Sequence, residues 1–286
     1  MRTRRDCNVN DAKGEIQSDS WHGNLSIVAT VRAALRDKRL LFAFQPVVWA
    51  ATGEVDYFEC LLRMREPEGG VVAGGAFISA IEQLGLIGFI DGYALKQTIE
   101  ELSNSPKIRL GLNISSLTAR DGRWLRSLIS LMRNRPCLAR RLIVEITETA
   151  ALHDIEESAR FVDALHHAGC RVALDDFGAG HTSLRQVRAL AVDTVKVDRS
   201  LIQNIADCEE KRLMICELLA LIKSFGVATV AEGVENAGDA AIVRAAGFDY
   251  LQGYHLGRPT IERSWLGAVT DTAAAASAFG LGSAGG

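Results

Sequence analysis

The sequence has no apolar run long enough to cross a membrane, no paired-cysteine motif and no excess of charge of either sign. Its longest uncharged apolar stretch, residues 40–53, is interrupted by Gln45 and Pro46 and falls short of the roughly 20 residues a spanning helix needs. No apolar segment follows the basic start Met1-Arg2-Thr3-Arg4-Arg5, so no signal peptide is visible. The six cysteines include no CxxC pair and no Cys/His cluster at zinc spacing. They read as scattered, reduced thiols of a cytoplasmic protein. The 32 basic and 35 acidic residues give a net charge of −3. Without a basic excess, neither DNA nor RNA is expected as a partner. No period of 20–50 residues marks a solenoid or propeller. Apolar residues at 48% and charged residues at 23% exclude a disordered chain, a collagen-like fibre and a disulfide miniprotein.

What is present is 286 residues, which allows two average domains or one α/β barrel of about 250 residues. Residues 1–22 are polar and without apolar period, and are expected to be a flexible tail. Apolar residues then recur at helical spacing over 25–40. Residues 41–49 and 55–64 read as two strands joined by the turn Ala51-Thr52-Gly53-Glu54, a connection tight enough to make them antiparallel. Beyond them strands and helices alternate. Strands are expected at 108–114, 142–146, 171–174, 194–197, 228–231 and 250–251. Helices are expected at 155–168, 209–225 and 237–246. Gly169, Gly226 and Gly247 follow those helices, where glycine ends a helix without a Cβ penalty. This alternation predicts a parallel sheet. From residue 266 the chain runs into Ala, Gly and Ser, a composition that predicts a disordered tail.

The informative residues are polar ones at strand ends: Glu59, Asn113, Glu145, Asp175 with Asp176, Lys196 with Asp198, Glu232 and Gln252. They lie 20 to 54 residues apart, the spacing of βα units. Any one could simply cap the next helix. So many strand ends behaving alike point to a shared rim, because a parallel barrel directs every C-terminal strand end to one face. The set spans the chain from Glu59 to Gln252, so no cut into two domains leaves it whole. The expected architecture is one barrel over residues 23–265.

Carboxylate and amide oxygens are hard ligands suited to Mg2+ or Mn2+, and the absence of His and Cys from the set disfavours zinc. Glu59, Glu145, Asp175 and Asp176 could not sit together fully charged without repulsion that divalent cations relieve. Two cations about 3.5–4 Å apart would activate a water for in-line attack on phosphorus. Neighbouring strand residues point to opposite faces, so Asp175 and Asp176 can share a metal pair only if the chain leaves the strand there.

At these residues the chain resembles the EAL family, which contains the cyclic di-GMP phosphodiesterases. The matching segments, in order, are Phe44-Gln45-Pro46-Val47, Glu59-Cys60-Leu61-Leu62-Arg63, Asn113-Ile114-Ser115, Glu145-Ile146-Thr147-Glu148, Asp175-Asp176-Phe177-Gly178, Lys196-Val197-Asp198, Ala231-Glu232-Gly233-Val234-Glu235 and Gln252-Gly253-Tyr254. The resemblance implies a TIM-like (β/α)8 barrel whose first strand runs antiparallel to the rest. It implies that Glu59, Asn113, Glu145 and Asp175 ligate one metal and that Asp175 and Asp176 reach a second. Lys196 and Glu232 would orient or deprotonate the attacking water. Gln45, Leu61, Arg63, Asn113, Asp198 and Gln252 would contact the dinucleotide, and Glu148, Gly178, Gly180, Ser183 and Glu235 would position a mobile loop. The cofactors would be two Mg2+ or Mn2+, with Ca2+ inhibitory. The product would be linear pGpG.

Two departures from the family stand out. The signature Glu-Ala-Leu is Glu59-Cys60-Leu61, and Cys60 is expected to point into packing. The family's Gly-Tyr-Ser-Ser is Gly180-His181-Thr182-Ser183, which keeps a hydroxyl and changes the aromatic. That altered loop supports the alternative of a cyclic di-GMP receptor with weak or no turnover. A metal-dependent sugar isomerase would call for His ligands, and none of the six histidines falls on a clear strand end. A pure scaffold would not need the polar rim. The resemblance also implies a homodimer, and regulation is left to a protein partner, to dimerisation or to expression.

Overall fold

The computed structural model describes residues 20–179 and 184–267, without the side chains of residues 20–25, 152, 153, 184–186 and 267. Most of both expected tails, and the loop residues Gly180, His181, Thr182 and Ser183, lie outside the described residues.

Helix α1 (Ser20–Arg36) leads into β1 (Leu40–Trp49) and β2 (Val55–Arg65), an antiparallel hairpin extended by the short β3 (Val71–Ala73). Then follow α2 (Ile78–Gln83), α3 (Ile87–Asn104), β4 (Leu110–Ile114), α4 (Ser116–Ala119), α5 (Gly122–Met132), α6 (Pro136–Ala139), β5 (Leu142–Thr147), α7 (Glu148–His153), α8 (Ile155–His167) and β6 (Arg171–Phe177). The chain continues through α9 (Leu184–Leu190), β7 (Thr194–Val197), α10 (Arg199–Ile202), α11 (Glu209–Ser224), β8 (Ala228–Ala231), α12 (Ala237–Ala246), β9 (Tyr250–Leu251) and α13 (Ser264–Gly267).

The sheet order is β1-β9-β8-β7-β6-β5-β4-β2-β3, and β1 also pairs with β2. That second pairing closes eight strands into a barrel. β1 is antiparallel to both its neighbours, and every other pairing around the ring is parallel. The α helix expected from residue 25 starts earlier and stops at Arg36, because Leu40 already pairs with Met64 across the hairpin. Gly169, Gly226 and Gly247 hold φ of 88°, 73° and 94°, the left-handed conformation that suits glycine after a helix.

Strand alternation sorts each segment into two faces. Leu110, Leu112 and Ile114 of β4, Leu142, Val144 and Ile146 of β5, and Val172 and Leu174 of β6 point outward into the large core under the helices. Residues of the other parity point into the barrel. There Val47, Tyr57, Ile143, Ala173, Val230 and Tyr250 form a second, smaller apolar cluster. Both faces are buried, so these strands read as nearly continuous apolar runs. The polar residue that breaks each run falls on the inward parity.

Candidate active site

One step above that inner apolar layer, two residues further along each strand, the inward positions are Glu59, Asn113, Glu145, Asp175, Lys196, Glu232 and Gln252. Gln45 joins them from the antiparallel β1, where it pairs with Glu59 just as Val47 pairs with Tyr57 one layer below. Period-two alternation and barrel closure together therefore gather residues spread over the whole chain.

Lys196 stands at the centre and is fully buried. Its Nζ lies 2.7 Å from Glu145 Oε2, 2.8 Å from Glu232 Oε1, 3.0 Å from Asp175 Oδ1 and 3.4 Å from Glu59 Oε2. Burial alone would lower the lysine, but four surrounding carboxylates, Asp175 foremost, hold it well above its ordinary value. Glu59 is the best-satisfied carboxylate. Asn113 Nδ2 donates to its Oε1 at 2.5 Å and Gln252 Nε2 to its Oε2 at 2.5 Å. Burial pushes Glu59 up, yet Lys196 and these two amides together hold it below the usual range. Glu145 and Glu232 have no such amide support. Burial raises Glu145 to about 8, with Glu59 and Asp175 adding to the rise against Lys196, and raises Glu232 strongly. Asp176 is raised to about 6 by burial and then by Asp175 and Asp198. The cluster holds more negative charge than one lysine can balance.

Oxygens of Glu59, Glu145 and Asp175 lie within 4.8 Å of one another, and so do those of Asp175, Asp176 and Glu232. Glu145 Oε1 is buried with no hydrogen-bond partner, and Asp175 Oδ1 faces Lys196 without the alignment of a hydrogen bond. Orphaned buried oxygens and an all-oxygen donor set fit hard divalent cations. Asp175 is shared by the two groups. Both aspartates reach the site because of a bulge: β6 slips register against β7 between Leu174 and Phe177, and Asp176 takes φ 56°. The strand therefore continues to Phe177 rather than ending at residue 174, and the bend lies inside it. A left-handed non-glycine residue of this kind is strained and persists where neighbours over-determine it.

The start of the segment after this bulge is held by Glu148. Glu148, the first residue of α7 and buried, accepts from the Gly178 N–H at 2.8 Å, and Gly178 holds φ 95°. Thr147 caps the same helix through its hydroxyl, which accepts from Ala150 N at 3.3 Å. Cys60 points out of the barrel into the helix-facing core. Asp198 caps α10 by accepting from Ser200 N at 2.9 Å. Glu235 accepts from Gln203 Nε2 at 2.8 Å, away from the cluster. Gln45 and Gln252 are buried and bonded to each other at 3.2 Å. Leu61, Arg63, Asn113, Asp175 and Asp176 line a cavity of about 470 Å3 that opens beside the cluster. Arg63 donates to Leu62 O and, among the described residues, forms no ion pair. A larger groove between α3 and α5, about 640 Å3, shares no residue with the cluster. Sequence reading passed over Glu82 and Asp91, carboxylates on α2 and α3 that line the 470 Å3 cavity. Both sit on helices between β3 and β4, outside the strand-end pattern that was the signal.

The model of the EAL domain matches residues 28–259. The chain belongs to the EAL domain family. Among relatives, cyclic di-GMP phosphodiesterase NbdA of Pseudomonas aeruginosa is 29% identical over 240 residues, covering 82% of this chain and 31% of that protein. Uncharacterized protein y4lL of Sinorhizobium fredii is 33% identical over 231 residues, covering 80% of this chain and 28% of that protein. This EAL chain thus spans about a third of the length of these curated relatives. Among solved structures, the MucR phosphodiesterase in complex with cyclic di-GMP superposes with a TM-score of 0.74 at 28% identity, covering 82% of this chain and 97% of that one. The FimX EAL domain from Pseudomonas aeruginosa bound to cyclic di-GMP gives 0.77 at 25% identity, with the same coverage. The EAL barrel with its antiparallel first strand is therefore this chain's fold. Among the described residues no helix is long and apolar enough to cross a membrane.

Proposed function

We propose that the chain hydrolyses cyclic di-GMP to linear pGpG with the help of two divalent cations, Mg2+ or Mn2+. The observation that carries this reading is the pair of carboxylate groups that share Asp175 beside Lys196 and Glu232. Glu59, Asn113, Glu145 and Asp175 would hold one cation, and Asp175 with Asp176 the other. When bound, the cations would lower the pKa of a shared water and neutralise the phosphoryl oxygens.

The chain's own residues divide the remaining work. Arg63, lining the cavity and without an ion pair among the described residues, offers a planar fork to a phosphate. Lys196 stays charged and is placed to hold the attacking water and to offset charge on the phosphoryl group. Glu232, raised by burial and 2.8 Å from Lys196, is placed beside it to take the proton of the attacking water. Water adds across one P–O bond of the ring, and the departing ribose oxygen leaves as a hydroxyl. Glu148 holds the backbone after Asp176 and so keeps the bulge in shape.

The test is incubation of purified protein with cyclic di-GMP and Mg2+, Mn2+ or Ca2+, with separation of products. Formation of pGpG with Mg2+ or Mn2+, and its suppression by Ca2+, is expected. Folded protein that binds the dinucleotide and releases no pGpG in either metal would overturn the reading in favour of a receptor.

A further inference from the structure

Tyr57 occupies the inner apolar layer directly below Glu59 on the same strand and face. It is 3% exposed, and its hydroxyl has no hydrogen-bond partner. A buried, unpaired hydroxyl destabilises a fold, so packing alone would favour phenylalanine here. The contrast with Tyr250 in the same layer is informative. Tyr250 turns its ring against Trp49 at the end of β1, with ring centroids 4.4 Å apart, and its hydroxyl is not among the orphaned groups.

The Tyr57 ring packs beside Glu145 instead, since its Cε2 and Glu145 Oε1 both border the space over Gly111. Burial raises the Tyr57 phenol well above its usual value, and the Glu145 charge adds to that rise. Gly111 on β4 explains how the two side chains come together. A Cβ built there would overlap Glu145 Oε1 and would touch Tyr57 Cε2 at 3.1 Å. Gly111 has no positive φ, so space rather than backbone conformation calls for glycine. The orphaned Glu145 Oε1 and the ring bearing the orphaned hydroxyl thus converge over the same missing side chain.

We propose that Tyr57 is a positioning residue for Glu145, its phenol O–H donating to the carboxylate from below, directly or through one water. At present Lys196 draws Glu145 Oε2 to 2.7 Å. As Glu145 turns from Lys196 to its role as a ligand, one carboxylate oxygen must face the rim and the other must be held beneath. Tyr57 supplies the donor for the lower oxygen, and Gly111 supplies the room. Hydrogen-bond partners of this kind orient a ligand, and their loss weakens metal affinity roughly 10- to 100-fold. The inference rests on the metal-dependent reading above, but its readout is cation binding, which does not require turnover.

The experiment is Tyr57→Phe in the full chain, with Mn2+ titrated by calorimetry or by the spin-resonance signal of free Mn2+. The expected result is Mn2+ binding weakened at least about tenfold, a lower kcat at nearly unchanged KM, and a melting temperature in EDTA equal to or above that of the parent. Gly111→Ala, which fills the shared space, should weaken Mn2+ binding as well. Mn2+ affinity in Tyr57→Phe within twofold of the parent would overturn the proposal, as would a parent chain that binds no Mn2+. Absence of pGpG alongside a large affinity loss would count against the phosphodiesterase reading and leave the role of Tyr57 standing.

Discussion

Replacing Lys196 with methionine tests the charge balance of the site at its centre. The substitution keeps the length of the side chain and removes a cation that faces four carboxylates at 2.7–3.4 Å. Breaking a buried ion pair by deleting one partner costs about 3–5 kcal/mol, because the remaining charge is uncompensated. Proton uptake gives an independent figure. A carboxyl with an ordinary value of 4.5 that must stay protonated at pH 7.5 costs about 4 kcal/mol, from 1.36 kcal/mol per unit over about three units. For a barrel of this size each kcal/mol moves the melting temperature by about 2–4 °C, so the variant should melt roughly 6–20 °C lower. The assay is thermal unfolding in EDTA at pH 7.5, followed by circular dichroism. The gap should shrink at pH 5, where the raised carboxyls are neutral in both proteins and the parent's lysine has fewer charged partners. Mn2+ should restore much of the lost stability without restoring turnover. A loss below about 1 kcal/mol at pH 7.5 would refute the reasoning, since it would mean that the cluster does not depend on its lysine.

Other consequences can be measured directly. Glu145 at about 8 and Asp176 at about 6 lie above their ordinary values, so in EDTA the stability they contribute is full below about pH 4 and is lost as pH rises to 8; melts across that range should fall, and Mn2+ should flatten the fall. A carboxylate must be ionised to ligate, so Mn2+ binding at pH 7 should release close to one proton from Glu145, seen as a buffer-dependent heat in calorimetry. Glu148→Ala removes the acceptor of the Gly178 N–H and should lower kcat about tenfold or more in a pGpG assay while leaving the melting temperature within a few degrees. Arg141 donates to the carbonyls of Leu102, Ser105 and Ile108 around the C-terminal end of α3; Arg141→Ala should cost about 2–3 kcal/mol in a urea titration, with KM for the dinucleotide unchanged.

The gathering of these side chains was legible in the sequence because they obey a simple rule. Each is a polar residue on one parity of an otherwise apolar strand, and in a barrel with both faces buried such a residue has a single place to go. Glu59, Glu145 and Lys196 stand out for that reason. Strand boundaries near them were legible too, since the glycines after α8, α11 and α12 end those helices. The bend at Asp175–Asp176 was expected as an exit from the strand and proved to be a bulge within it, because β6 resumes pairing with β7 at Phe177. Helices α2 and α3 escaped notice, and with them Glu82 and Asp91. Their contribution to the cavity depends on how they pack across β2 and β4, which no local pattern encodes.

The sequence by itself therefore determined the class of fold, the inward parity of the polar residues and the hard-oxygen character of the site. These follow from local periodicity and from the chemistry of side chains. The tertiary structure decided what the residues do to one another. Eight strands had to close before Lys196 could face four carboxylates, before Lys196, Gln252 and Asn113 could hold Glu59 below its usual range while burial raised Glu145, and before Gly111 could bring Tyr57 beside Glu145. Those outcomes depend on distances between segments 50 to 200 residues apart. Such distances are set by barrel closure and register, and burial then magnifies every charge that closure brings together.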